Sequence, residues 1–368
     1  MAWTGALTAG ILVATGGPLL PSAPAAGPVS VPATAPETAV QSAGQPASAA
    51  EIGRSAQAAQ VEPLTTVAGA RLQLRPEPRH VDARTAYRSE SVLASPPQVP
   101  LATWAVADLD TGEILAAHRP RTRRQPASTI KLLTAVTAAD RIRRAARHRV
   151  TTSEAQPLSC VCVGLTPGRR YSRDALMKGM LLVSGNDAAE ALAGADPRGR
   201  DGFLRAMNRR ADALGAQGTT AVNPSGLTGT GASSTARDLL VFLRAAQADR
   251  AVAPILDLGS ARFGPARGAK RTIYRANPYV DATPRSEGKT GYTRAAGFNL
   301  VVSTRLRDAD GTMRRIGVAA MGAPSRDASD RAVTRLTRWV ARHHDSLGAL
   351  GSLPAAPGAR AGSQGPSS

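Results

Sequence analysis

Lysine is scarce in this chain of 368 residues. Of its 46 basic residues only four are lysine (Lys131, Lys178, Lys270 and Lys289), and the rest are arginine. Arginine serves wherever only positive charge is needed, but not where a side chain must give up its proton. Each remaining lysine is therefore a candidate for chemistry. Aromatic residues make up only 3% of the chain. No motif interleaves them with the arginines as a stacking platform for single-stranded nucleic acid would require. The formal net charge of +19 reads as an arginine-rich coding habit, and no nucleic-acid partner is expected. Loose association with an anionic cell envelope is the partner class that the charge leaves open.

Cysteine is almost absent: there are two, in Cys160-Val161-Cys162. The five histidines (His80, His118, His148, His343 and His344) fall at no metal-ligand spacing, so neither metal nor cofactor is expected. In an oxidising compartment the two thiols could bridge; the alternative is two ordinary thiols in a strand. A long hydrophobic run is missing too. Ala6 to Leu20 is mostly apolar but interrupted by Gly16-Gly17-Pro18, too short and broken to span a membrane. Ala23-Pro24-Ala25 follows as a small-residue cleavage pattern, although no positive charge precedes the run. Residues 1–26 thus read as an export segment, and an extracytoplasmic location is expected.

Residues 27–98 are rich in Ala, Pro, Ser and Gln and are expected to be a disordered spacer. Residues 345–368 form a similar Gly/Pro/Ser tail with no amphipathic face that could anchor a membrane. The folded domain is placed at 99–344. It opens with a hairpin, Trp104 to Leu109 and Glu113 to His118 around Asp110-Thr111-Gly112. Helices are expected from about Ser128, over 173–183 behind an N-cap at Ser172, and from Ser234-Thr235 with Asp238 completing the cap. Strands at 286–293, 297–305 and 314–322 and a helix over 327–344 close the domain. Strands and a helix at the ends with helices between make an α+β domain.

Three short motifs carry the chemistry. Ser128-Thr129-Ile130-Lys131 puts an amine and a hydroxyl on one helix face. A serine is a weak nucleophile without an adjacent base, and lysine is a base only when its pKa is depressed. Ser184-Gly185-Asn186 follows 56 residues after Ser128, on a turn whose small polar side chains suit proton relay and amide binding. Lys289-Thr290-Gly291 comes 105 residues after Ser184, in a strand where Gly291 allows another backbone to approach.

Together the order and spacing resemble the motif set of penicillin-interacting serine enzymes. The flanking residues sharpen this toward the serine D-alanyl-D-alanine carboxypeptidases: Ala127 to Ala135, Leu182 to Ala189, Gly288 to Thr293 with Gly297, and Asn223-Pro224-x-Gly226-Leu227. The resemblance implies a β-lactamase/transpeptidase-like fold: a five-stranded antiparallel sheet flanked by helices, plus an all-helical subdomain. It implies a peptidoglycan stem peptide ending in D-Ala-D-Ala as substrate and β-lactams as covalent inhibitors. Ser128 would be the nucleophile, Lys131 its base, Ser184 a proton shuttle with Lys289 nearby, and Asn186 a ligand of the substrate amide. Lys289 and Thr290 would bind the terminal carboxylate along the strand of Gly291 and Tyr292, and the amides of Ser128 and Tyr292 would form the oxyanion hole.

Two other readings remain. A class A β-lactamase deacylates with a glutamate between the second and third motifs, yet no glutamate lies between Glu190 and Glu287; Asp196 or Asp212 would have to substitute. A non-catalytic wall-binding protein on the same fold would have no need for both scarce motif lysines.

Overall fold

The computed structural model describes residues 79–82, 85–89, 95–157, 159–307 and 311–355. The expected export segment, the spacer up to residue 78 and the tail beyond 355 lie outside them. Two short strands come first, β1 (Arg79–Asp82) and β2 (Thr85–Ser89), then the hairpin β3 (Thr103–Asp108) and β4 (Glu113–His118). The hairpin turn is fixed by Asp108, whose carboxylate accepts from the amides of Asp110 and Thr111.

The middle of the chain is helical. It holds α1 (Lys131–Arg141), β5 (Arg147–Arg149), α2 (Thr152–Ala155), β6 (Arg170–Ser172), α3 (Arg173–Leu182), α4 (Asn186–Gly194), α5 (Gly199–Ala213) and α6 (Ala236–Ala248). After these come α7 (Ala253–Leu256), the hairpin β7 (Ser260–Phe263) and β8 (Arg271–Tyr274), and α8 (Pro278–Ala282). The chain then returns to sheet with β9 (Ser286–Thr293), β10 (Gly297–Arg307) and β11 (Met313–Ala323). It closes with α9 (Arg326–His343), β12 (Leu347–Gly348) and β13 (Gly351–Ser352).

The main sheet runs β1-β2-β4-β3-β11-β10-β9 and is antiparallel throughout, with β12 on β2 and β13 on β4. The expected α+β class holds, but the sheet has nine strands where five were expected. The extra four lie at 79–89, inside the expected spacer, and at 347–352, inside the expected tail. They are two to five residues long. Segments so short carry no readable period, and backbone pairing to a neighbouring edge needs no particular side chain.

Both faces of the sheet are covered. Every residue of β3 is buried, because alternate side chains enter different layers. Ala105 and Ala107 join the core shared with α1, α3, α4, α5 and α6. Trp104 and Val106 join a second core beneath α9, where Ala332, Val333, Leu336, Trp339 and Val340 recur at helical spacing. The expected caps at Ser172 and Thr235 form, accepting from the amides of Ala175 and Asp238. Asp238 does not close a capping box. Its carboxylate turns outward to the Gly218 amide and the Thr219 hydroxyl, tying the preceding loop to the helix.

Truncating Leu336, fully buried between α9 and the sheet, is expected to leave a cavity. Leu336→Ala should lower the unfolding free energy by about 2–5 kcal/mol in urea titration. A loss below about 1 kcal/mol, typical of surface sites, would show that this face is not closely packed.

Candidate active site

Ser128 lies in a 3-10 turn, Ala127–Ile130, that runs directly into α1. Ala127 holds a left-handed φ of 49°, a conformation that costs a non-glycine residue on the order of 1–3 kcal/mol and clusters at functional sites. The Thr129 hydroxyl donates to the Pro126 carbonyl at 2.6 Å and fixes the turn. Lys131 follows as the first residue of α1, so its Nζ donates to Ser128 Oγ at 2.7 Å. The same nitrogen donates to Asn186 Oδ1 at 2.8 Å and to the Ser225 carbonyl at 2.6 Å. The ammonium form donates to all three; on losing a proton the amine keeps two donors, for Asn186 and the Ser225 carbonyl, and its lone pair faces Ser128 Oγ.

Lys131 is fully buried. Burial holds its pKa well below the usual lysine range, and the charge of Lys289 lowers it further, against the opposing pull of Glu190 and Asp187. An amine so depressed, in contact with a serine hydroxyl, is the base that a serine nucleophile requires.

Ser184 also adopts a left-handed φ, 63°. It ends the turn after α3 and opens toward a cleft of about 270 Å³, which Ser128, Thr290, Gly291 and Tyr292 line as well. Among the described residues, Ser184 makes no hydrogen bond to Ser128, Lys131 or Lys289. Asn186 begins α4 and is buried. Its Nδ2 donates to the Ser159 carbonyl at 2.8 Å, which orients its oxygen toward Lys131.

The opposite wall is β9, the terminal strand of the sheet. It packs so closely on the nucleophile turn that a Cβ at Gly291 would lie 2.9 Å from the amides of both Ser128 and Thr129. Only glycine leaves that approach open. Lys289, on the same strand, is 3% exposed, with its Nζ donating to the Thr290 carbonyl at 2.8 Å. Burial, then the charge of Arg326, lowers its pKa to about 7. Thr290, Gly291 and Tyr292 line the cleft itself; Lys289 does not.

The sequence did not single out Ser225, whose carbonyl is a ligand of Lys131. Its signal was the Asn-Pro-x-Gly turn: Asn223 Oδ1 accepts from the Gly226 amide at 2.7 Å and aims that carbonyl inward. Arg326, Ser329 and Asp330 at the start of α9 also line the cleft, as does Val161. Nothing local in the sequence brings them to the site. Cys160 and Cys162, left open above, form a disulfide in an irregular loop and not a strand. Among the described residues no cluster could hold a metal ion, and no helix is long and apolar enough to cross a membrane.

The sequence profile of the D-alanyl-D-alanine carboxypeptidase family matches residues 90–325. A D-alanyl-D-alanine carboxypeptidase of Mycobacterium tuberculosis is 43% identical over 208 residues, which span 56% of this chain and 70% of that protein. One from Escherichia coli is 31% identical over 265 residues, 66% of this chain and 64% of that protein. Among solved structures, a D-alanyl-D-alanine carboxypeptidase of M. tuberculosis superposes with a TM-score of 0.64 at 37% identity. That alignment covers 70% of this chain and 97% of the other.

Gly291→Val inserts a side chain against the Ser128 amide and is expected to slow covalent labelling of Ser128 by penicillin about a hundredfold, with a lowered thermal midpoint because overpacking costs about 1–3 kcal/mol. Wild-type labelling would show that the two backbones are not in contact. The pH dependence of labelling tests the lysines. The rate should rise as pH passes the depressed pKa of Lys131. Because the charge of Lys289 lowers that pKa, Lys289→Gln should move the acid limb to higher pH; an unmoved limb would show that the two are not coupled.

Proposed function

This chain belongs to the D-alanyl-D-alanine carboxypeptidase family, and we propose that Ser128 is the nucleophile with which it removes the terminal D-Ala from peptidoglycan stem peptides. The observation that carries the assignment is the buried amine of Lys131 at 2.7 Å from Ser128 Oγ. Lys131 takes the hydroxyl proton as Oγ attacks the carbonyl of the D-Ala-D-Ala bond. The tetrahedral oxyanion sits against the backbone amides of Ser128 and Tyr292, donors worth roughly 3–4 kcal/mol each when correctly placed. Ser184 relays a proton to the departing amine, and D-Ala leaves. Water then attacks the ester and regenerates Ser128.

Asn186 holds Lys131 through Oδ1 and meets the substrate amide through its side-chain amide. Thr290, with the positive charge of Lys289 and of Arg326 on the cleft wall, receives the terminal carboxylate. Bound anion in turn favours the charged form of Lys289, whose pKa near 7 makes that cation sensitive to what occupies the cleft. The same geometry accepts a β-lactam as an acylating mimic. The wall substrate lies outside the membrane, in keeping with an export segment at residues 1–26. Four arginines (Arg147, Arg169, Arg170 and Arg267) border a surface cavity of about 580 Å³ away from the cleft, which supports loose attraction to an anionic envelope.

The β-lactamase reading is disfavoured. Asp196, one of the carboxylates that could have served for deacylation, is bound by Arg141 at 2.7 and 2.9 Å, which holds its carboxyl below the usual range. Neither it nor Asp212 lines the cleft.

A fluorescent penicillin should label the chain for many minutes, and a peptide ending in D-Ala-D-Ala should release D-Ala. Ser128→Ala should abolish labelling and lower kcat at least about a thousandfold. Labelling that survives Ser128→Ala would remove the nucleophile assignment; rapid loss of label with penicillin consumed would restore the β-lactamase reading.

A further inference from the structure

The segment between α2 and β6 has no regular structure over residues 159–165, yet it meets the catalytic centre at several points. The Val161 carbonyl accepts from the Asn186 amide at 2.7 Å, and the Ser159 carbonyl from Asn186 Nδ2 at 2.8 Å. One residue on, the Asp187 carboxylate accepts from the amides of Val163, Gly164 and Leu165 at 2.9, 2.8 and 3.0 Å. The loop and the start of α4 therefore hold each other.

The two halves of this loop are secured differently. Residues 163–165 have the Asp187 carboxylate and the buried side chains of Val163 and Leu165. Residues 159–161 are exposed; Val161 is 58% exposed and borders the cleft. Burial does not order them, and fixing each backbone residue costs about 1–2 kcal/mol of conformational entropy. What spans this half is the Cys160–Cys162 disulfide, which encloses Val161 and lies next to Ser159. Both carbonyls that orient Asn186 thus sit in or beside the bridged ring.

We propose that the Cys160–Cys162 bridge is a positioning element for Asn186, and that Ser128 is acylated at full rate only while the bridge is closed. The bridge touches no reacting atom. It acts through the Ser159 and Val161 carbonyls on Asn186, and through Asn186 on Lys131. Opening it requires a dithiol. The S–S bond takes two electrons and two protons from that reagent and becomes two thiols, while the dithiol closes its own disulfide. The proposal rests on Ser128 as nucleophile.

The test uses the full chain in three forms: as isolated under air, reduced with dithiothreitol, and carrying Cys160→Ser with Cys162→Ser. For each, the affinity of the noncovalent penicillin complex, the acylation rate constant and the thermal midpoint are measured. Thiol titration of the denatured isolated protein should find no free thiol. Reduction should slow the acylation step about ten- to a hundredfold, with noncovalent affinity and midpoint nearly unchanged. Reoxidation should restore the rate, and the double variant should match the reduced form and ignore dithiothreitol. Equal rates with the bridge open and closed, or free thiols in the isolated protein, would overturn the proposal while leaving Ser128 in place. So would a rate lost only because the reduced chain unfolds at the assay temperature. Absence of acylation in every form would instead remove the nucleophile reading on which the proposal stands.

Discussion

The removal of Lys131 from water is the constraint on which the site depends. An exposed lysine is protonated at neutral pH and has no lone pair to offer a serine. Burial destabilises the ammonium, and the nearby Lys289 destabilises it further. Uncompensated, such burial would be costly. Hydrogen bonds to Ser128, Asn186 and the Ser225 carbonyl keep the nitrogen satisfied. The helical subdomain is built to supply them: α1 brings the lysine, the start of α4 brings Asn186, and the turn after α5 brings Ser225.

A second constraint is the close approach of backbones around the nucleophile. β9 crosses the Ser128 turn at Gly291, and the Asn223–Leu227 turn reaches it at Gly226, where a side chain would overlap the Ala127 carbonyl. Gly226 also holds a left-handed φ of 82°, which glycine adopts without steric cost. Between these two contacts the turn keeps the left-handed Ala127 that aims Ser128 into the cleft. A rigid turn presents its amide at one fixed place, which is what stabilisation of a developing oxyanion demands.

The two cations of the site differ in their partners. Lys131 is fixed by three partners and is the base of the proposed mechanism. Lys289 donates to the Thr290 carbonyl and is held near neutral pKa by burial and Arg326. The sheet that carries Lys289 is closed on its far face by α9, and the first turn of that helix brings Arg326 back to the cleft. The helix that completes the second core thus also supplies charge to the site.

The sequence by itself determined the α+β class, the hairpin, the strands at β9 to β11, the helices α1, α3, α6 and α9, and the caps at Ser172 and Thr235. Each of these is written in local periods and capping residues. Ser128, Lys131, Ser184, Asn186 and the Lys289–Tyr292 strand were legible as well, since each falls in a compact motif and lysine is rare enough here to stand out. Tertiary structure decided the rest. Ser225, Val161, Arg326, Ser329 and Asp330 reach the site through contacts between segments distant in the chain, and no short pattern records such a contact. The edge strands at 79–89 and 347–352 were equally hidden, because their pairing uses backbone groups that every residue carries. Whether Cys160 and Cys162 stood apart in a strand or bridged in a loop was also a tertiary outcome. It depended on Asn186 and Asp187, some 25 residues away, drawing that segment out of regular structure.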